Sequence, residues 1–402
     1  MSAALLSPRM ALVRPSPTLA VTDNAKALKA KGLDVIVLAQ GEPDMDTPAN
    51  ICDAAVTAIR AGQTRYTPVN GTVELKKAIV AKFLRDHAMT INPNDVIIGT
   101  GGKQVLFNAL VATLGEGDEV LIPAPCWVSY PDMAILAGGK AVTVACGAET
   151  NFKITPAQLQ KAITPRTRWL ILNSPSNPTG SVYTEQELRL LGDVLKNHPN
   201  VLVMVDDMYE KLLFDGTTFC TLAQAAPAIA DRILTVNGVS KAYCMTGWRI
   251  GYGHGPSWLI EAMSTIQSQS TSNPSSISQA AAVEALNGPQ DFIAKHNVIF
   301  QRRRDMVVRM LNECPGITCL KPQGAFYVYP SCAGTLGKTT PKGKKINNDF
   351  DFATALLDEK LVAVVPGEAF GLAPYFRISY ATSDAILEEA CKRIHAFCAS
   401  LT

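Results

Sequence analysis

The chain has 402 residues, enough for about two to four domains or for one large α/β unit with a smaller partner. Apolar residues make up 47% of it, which excludes a disordered or collagen-like chain. Lys and Arg (37) against Asp and Glu (35) leave a formal charge of +2, without the basic excess of a dedicated nucleic-acid binder.

In chain order, residues 1–50 read as extended and turn-rich. Short apolar runs follow, each ending in a small, polar or acidic residue. They are Val96-Ile97-Ile98 before Gly99, Val120-Leu121-Ile122 before Pro123 and Trp169-Leu170-Ile171-Leu172 before Asn173. Two more are residues 201–205 before Asp206 and Ile233-Leu234-Thr235-Val236 before Asn237. Such runs are expected to be buried parallel strands, apolar on both faces. Between them, residues 104–114 follow a glycine loop and residues 184–196 open Thr-Glu-Gln-Glu, both helical in pattern. Strand, loop and helix in alternation predict an α/β domain on one mostly parallel sheet, of about seven strands. From 291 the pattern changes. A long charged helix (291–314) precedes short strands at 325–329, 362–365 and 376–380 and a last amphipathic helix at 383–397. Residues 334–348, rich in Gly, Lys and Thr, read as an exposed loop. The expected organisation is an arm with part of a small domain (1–50), a large domain (51–290) and a small α+β domain (291–402) built from both chain ends.

The ten cysteines form no Cys-x-x-Cys pair and the five histidines no His-Glu-x-x-His spacing, so reduced packed thiols and no metal are expected. No apolar run approaches the ~18 residues of a membrane span, and residues 1–14 lack the pattern of a secretory signal. A cytoplasmic protein is the expectation, with no membrane and no nucleic-acid partner.

Chemistry concentrates in the run from Gly238 to Tyr252. Lys241 follows a strand among small residues, and Arg249 stands eight positions later beside Trp248 and before Gly251. Gly and Ser permit close approach of a bulky planar ligand. A lysine held there is desolvated, its pKa falls, and it can form an imine with an aldehyde.

This run closely resembles the pyridoxal-phosphate attachment signature of class I aminotransferases, the fold type I enzymes. Further landmarks of that family follow in its order. Gln40-Gly41-Glu42-Pro43-Asp44 resembles its N-terminal landmark, and Gly101-Gly102-Lys103 its phosphate loop. Asn173-Ser174-Pro175-Ser176-Asn177-Pro178-Thr179-Gly180 resembles its Asn-Pro-Thr-Gly loop. Asp206-Asp207-Met208-Tyr209-Glu210 is similar to its Asp-x-x-Tyr element, and Tyr375-Phe376-Arg377-Ile378-Ser379 to its carboxylate-binding strand. Within the family the likeness is greatest to the bacterial aspartate aminotransferases of subgroup Ib, some of which also accept prephenate.

The resemblance implies a role for each residue. Lys241 carries pyridoxal 5'-phosphate as an imine and moves the proton. Asp206 keeps the pyridine nitrogen protonated, as an electron sink requires; it is taken over Asp207 because Tyr209 then falls three residues on. Tyr209 and Asn177 hydrogen-bond the ring's phenolic oxygen, and Trp127 stacks on the ring face. Gly101, Gly102 and Lys103 at a helix start, with Arg249, hold the phosphate. Gly238 stands where serine often contacts phosphate, with Ser240 as the substitute. Tyr66 reaches the phosphate of a neighbouring subunit, which implies a homodimer with shared sites. Arg377 forks onto the substrate α-carboxylate, helped by the Gly41 backbone, and Arg14 meets a distal carboxylate. The implied reaction is ping-pong transamination between L-aspartate and 2-oxoglutarate, giving oxaloacetate and L-glutamate. Alternatives are an aromatic or prephenate aminotransferase, a carbon–sulfur lyase or cyclopropane-carboxylate synthase on the same fold, and a non-catalytic binding protein.

Overall fold

The computed structural model describes residues 6–13, 15 and 17–402. In chain order it contains α1 (Pro17–Ala30), β1 (Ile36–Val37), α2 (Ala49–Arg60), α3 (Val73–His87), β2 (Val96–Thr100), α4 (Gly102–Thr113), β3 (Glu119–Ala124), α5 (Ser129–Leu136) and β4 (Lys140–Ala145). Then come α6 (Pro156–Ala162), β5 (Thr167–Asn173), α7 (Glu185–Lys196), β6 (Leu202–Asp206), α8 (Leu222–Ala225), β7 (Ile233–Gly238), β8 (Ile250–His254), α9 (Ser257–Ser268) and α10 (Ser276–Asn287). The last are α11 (Asp291–Asn312), β9 (Tyr327–Val328), α12 (Asp349–Lys360), β10 (Val362–Ala363), β11 (Val365–Pro366), β12 (Phe376–Ser379) and α13 (Asp384–Ala399).

A seven-stranded sheet runs β2-β8-β7-β6-β5-β3-β4. Its strands are apolar on both faces because both are covered. Val203 and Val205 point to the side packed by Leu188, Leu191 and Leu195 of α7. Met204 between them points to the side packed by α4 and α9. Each such side chain, fully buried, contributes about 1.5–3 kcal/mol of hydrophobic free energy. Thr184 caps α7 in a reciprocal capping box with Glu187, as its sequence announces.

Three sequence expectations change. β2 does not join the parallel set. It pairs only with β8, which is antiparallel to both β2 and β7. The chain returns from β7 through residues 239–249 without a crossover helix, so β8 must run backwards. Residues 1–50 are not extended throughout: α1 forms there, its Val21, Ala25 and Leu28 packing against Val35, Leu357 and Ala363. That apolar stripe is narrow, and two of its partners, Leu357 and Ala363, are more than 300 residues away. Residues 334–348 are not simply exposed, since Thr335, Thr340 and Ile346 are buried and Thr339 bridges Lys345.

The smaller unit joins the two ends of the chain. β1 pairs in parallel with β10, and β11-β12-β9 form a second, antiparallel sheet. Its core is formed by Phe300, Val307 and Leu311 of α11 with Phe352, Leu356, Ile394 and Phe397 of the last two helices. All ten cysteines are free thiols. Among the described residues no helix is long and apolar enough to cross a membrane.

Candidate active site

A cavity of about 370 Å³ opens where the parallel strands of the large sheet end. Crevices of open α/β sheets lie outside the carboxyl ends of the strands because helix N-termini and loops converge there. β6 delivers Asp206 to this cavity and the loop after β7 delivers Ser240 and Lys241. The loops after β3 and β5 bring Trp127 and Asn177, α4 brings Gly102 and Lys103, and β12 brings Arg377 from the smaller unit. Gly41, Tyr209 and Arg249 also line it. Tyr66 stands apart, 91% exposed on the loop after α2. Arg14 lies outside the described residues.

The Lys241 amine donates to the Gly41 carbonyl at 2.5 Å. Burial, together with the charges of Arg249 and Arg377, pushes its pKa down to about 8, against the opposing pull of Glu42 and Asp206. Gly41 has room for no side chain, since a Cβ there would sit 2.9 Å from the Tyr327 hydroxyl.

Asp206 is buried. Its carboxylate accepts from the Tyr130 hydroxyl at 2.6 Å and from the Met208 amide at 3.2 Å. Burial raises its pKa, and these donors and Lys241 pull it back. Asp207 faces away from the cavity, beside Thr221 and Glu210, and burial raises its carboxyl well above the usual range. Tyr209 shares a 2.9 Å hydroxyl–hydroxyl hydrogen bond with Tyr327.

Arg377 is 2% exposed. Its guanidinium donates to Asn177 Oδ1 at 2.9 Å and to the Ala39 carbonyl at 2.6 Å, while Nε is buried without a partner. It lies between the rings of Tyr327 and Phe370, 4.7 and 4.9 Å from their centroids. No carboxylate contacts it among the described residues. A buried guanidinium without an acid is costly, and an anion entering from the cavity would offset that cost.

Across the cavity, Gly101 (φ +83°) starts α4, and a Cβ on it would strike the Arg249 guanidinium. Arg249 itself is left-handed (φ 56°) and donates to the Thr246 carbonyl at 2.7 Å. A Cβ on Gly251 would strike the Gly102 amide, so β8 and the start of α4 touch only because residue 251 is glycine. The Lys103 amine sits 4.7 Å from the Trp127 ring centroid. Burial and Arg249 lower its pKa. Free amides at a helix start beside two cations form a cradle for a dianion. The backbone of β8 explains the glycine at 238: a Cβ there would lie 3.0 Å from the Ile250 carbonyl oxygen and 3.1 Å from the Gly251 Cα, with the Met208 methyl also at 3.1 Å.

Sequence reasoning did not select Tyr130, Tyr327, Asn173 or Met208 as site residues. Tyr130 follows Trp127 by three residues, one helical turn, which is a usable signal. Tyr327 sits in Ala325-Phe326-Tyr327-Val328-Tyr329 and reads as core; only the packing of Arg377 against it reveals the site.

An amine, a carboxylate, an aromatic face and a phosphate-type cradle around one cavity fit an aromatic aldehyde phosphate. The chain matches the family aminotransferase class I and II over residues 33–394. The chain belongs to the class I and II aminotransferases. It is 62% identical over 399 residues to an aspartate/prephenate aminotransferase of Cereibacter sphaeroides, covering 99% of this chain and all of that protein. It is 54% identical to an aspartate aminotransferase of Rhizobium meliloti, covering 98% of this chain and 96% of that one. A crystal structure of the aspartate aminotransferase from Rhizobium meliloti superposes with a TM-score of 0.97 at 53% identity, each chain 99% covered. That of Thermus thermophilus with maleate superposes with a TM-score of 0.91 at 39% identity, covering 98% of this chain and 99% of that one. The cofactor of this aminotransferase is pyridoxal 5'-phosphate, and its substrates are amino acids and 2-oxoacids.

Proposed function

We propose that this aminotransferase exchanges the amino group between L-aspartate and 2-oxoglutarate, giving oxaloacetate and L-glutamate. The observation that carries the reading is Arg377, a buried guanidinium without an acid partner in the cavity that Lys241 enters. A planar fork of this kind suits the carboxylate borne by every amino acid and 2-oxoacid. The relatives named aspartate aminotransferases and the dicarboxylate maleate in the Thermus thermophilus structure support a dicarboxylic substrate.

Pyridoxal phosphate, when bound, supplies an aldehyde that condenses with amines and a protonated ring that takes up electrons. Gly101, Gly102, Lys103 and Arg249 would hold its phosphate, Trp127 its ring face and Asp206 the proton on its ring nitrogen. Tyr130 keeps the Asp206 carboxylate turned into the cavity. Tyr209 and Asn177 reach the phenolic oxygen, and Ser240 adds a hydroxyl beside Lys241. The free Lys241 amine takes a proton from the substrate α-carbon and returns it. Arg14 is the cation offered to a distal carboxylate. Prephenate is a second amino acceptor on this reading, favoured by the 62% identical aspartate/prephenate enzyme.

Mixing the loaded enzyme with aspartate converts the imine absorbance to that of the amine form, and 2-oxoglutarate restores it. Arg377→Leu raises the substrate KM by about a hundredfold, the loss of a charge-assisted fork, with cofactor affinity nearly unchanged. Equal loss of both would place Arg377 elsewhere.

The active unit on this reading is a homodimer, supported by the near-complete exposure of Tyr66, beyond its own cavity. Tyr66→Ala and Lys241→Ala enzymes, mixed and reassociated, regain activity, because one hybrid site has both side chains intact. No gain on mixing would show that Tyr66 serves no neighbouring site.

A further inference from the structure

The carbonyl that receives the Lys241 amine belongs to a segment with little to hold it. Upstream the backbone is firmly pinned: the Leu38 amide donates to Ala363 and the Ser379 amide donates to Leu38, both at 2.9 Å. Ala39 accepts from Arg377. Beyond this point, among the described residues, none of residues 40–46 shares a backbone–backbone hydrogen bond. Behind them lies an open groove of about 180 Å³, bordered by Gln40, Pro43, Asp44 and Thr382. No backbone ladder fixes the segment, and only Met45 of it packs against the core of the smaller unit, so polar side chains must hold the stretch before it.

Two side chains tether it. Glu42 accepts from the Thr246 hydroxyl at 3.0 Å. Asp44 takes a two-pronged contact from Arg303 of α11, at 2.8 and 3.0 Å. Arg303 is 7% exposed, and its Nε donates to Asp384, the first residue of α13, at 3.0 Å. The guanidinium is thus aimed by one acid and spends its fork on the other, a two-pronged contact of which a lysine would keep one prong.

We propose that Arg303 is a positioning residue for proton transfer: through Asp44 it holds residues 40–44 so that the Gly41 carbonyl meets and orients the Lys241 amine. The proposal rests on the aminotransferase reading above. It separates two parts of one strap. Ala39 beside Arg377 is pinned independently, so carboxylate binding is spared when the tether is cut, and proton transfer is not.

Asp44→Ala, which removes a partly exposed side chain and leaves Arg303 its Asp384 partner, tests this in the cofactor-loaded enzyme. kcat falls about tenfold while the KM for the amino acid stays within about twofold, because a displaced base costs rate and not binding. Deuterium exchange rises in residues 40–46 and not in α11 or α13. Arg303→Lys, keeping one contact, retains kcat to within about threefold of the unmodified enzyme. An unchanged kcat in Asp44→Ala overturns the proposal. So does a joint loss of kcat and binding with exchange spreading through α11 and α13, the mark of a merely structural role. If the unmodified enzyme transaminates nothing, the functional reading fails, and the exchange pattern still decides the tether by itself.

Discussion

At the scale of the residue, the chemistry depends on the charge state of Lys241. An ordinary lysine amine titrates near 10.5, and here burial brings it to about 8. The amine is therefore a free base over part of the physiological range. In cofactor-stripped protein, pulse acetylation of Lys241 followed by mass spectrometry should rise with pH through a midpoint near 8. Replacing Glu42 with Gln should lower the midpoint further, since that carboxylate favours the charged amine. A midpoint at the ordinary lysine value would show that the amine is not desolvated. The neighbouring acids divide in the same way: Asp206 has a hydroxyl and an amide to hold its charge, and Asp207, buried one residue on, does not face the cavity.

At the scale of the element, two contacts set the site. The first is β8 against the start of α4, where Gly251 touches Gly102. Gly251→Ala pushes that first turn away from Arg249 and opens the phosphate cradle. Its expected effect is at least about a tenfold rise in the dissociation constant of pyridoxal phosphate, roughly the worth of one charge-assisted hydrogen bond. Fluorescence titration measures it, and unaltered affinity would mean that the cradle lies elsewhere. The second ties α3 to the turn after β6. Lys82, 1% exposed, meets Glu210 at 2.5 Å, and His87 meets the same carboxylate at 2.8 Å. Glu210 is one residue beyond Tyr209, so this pair anchors the turn that carries two site residues. Burial alone would raise the Glu210 pKa, but Lys82 and His87 hold it well below the carboxylate range. A depressed pKa stabilises the fold above the unfolded value of about 4.3, and the contribution fades as pH falls below it. Glu210→Gln should therefore lower Tm at pH 7, by the equivalent of about 3–5 kcal/mol for a broken buried pair. The difference from the unmodified enzyme should shrink below about pH 4. A constant difference across that window would show that Glu210 carries no charge in the fold.

At the scale of the whole molecule, the site exists because distant parts of the chain meet. Gly41, Lys241 and Arg377 come from the first, the middle and the last part of the sequence, and direct contacts join them: Lys241 to Gly41, and Arg377 to Ala39 and Asn177. β1 with β10 closes the same circuit in the backbone. The smaller unit thus carries Arg377, and the large sheet carries Lys241, Asp206 and Trp127.

The sequence alone determined the strands β3, β5, β6 and β7, because continuous apolar runs ending in polar residues have few other uses. It determined α7 through its capping box, and it singled out Lys241 among small residues after a strand, while Asp206, Asn177 and Arg377 stood out only through the family resemblance of their motifs. The backward β8, the helix α1 and the partial burial of residues 334–348 were decided only by the tertiary structure, because each depends on neighbours far along the chain. The same holds for Tyr130 beneath Asp206 and Tyr327 beneath Arg377. An apolar or aromatic residue looks alike in any core, and only the assembled fold shows which of them faces a cavity.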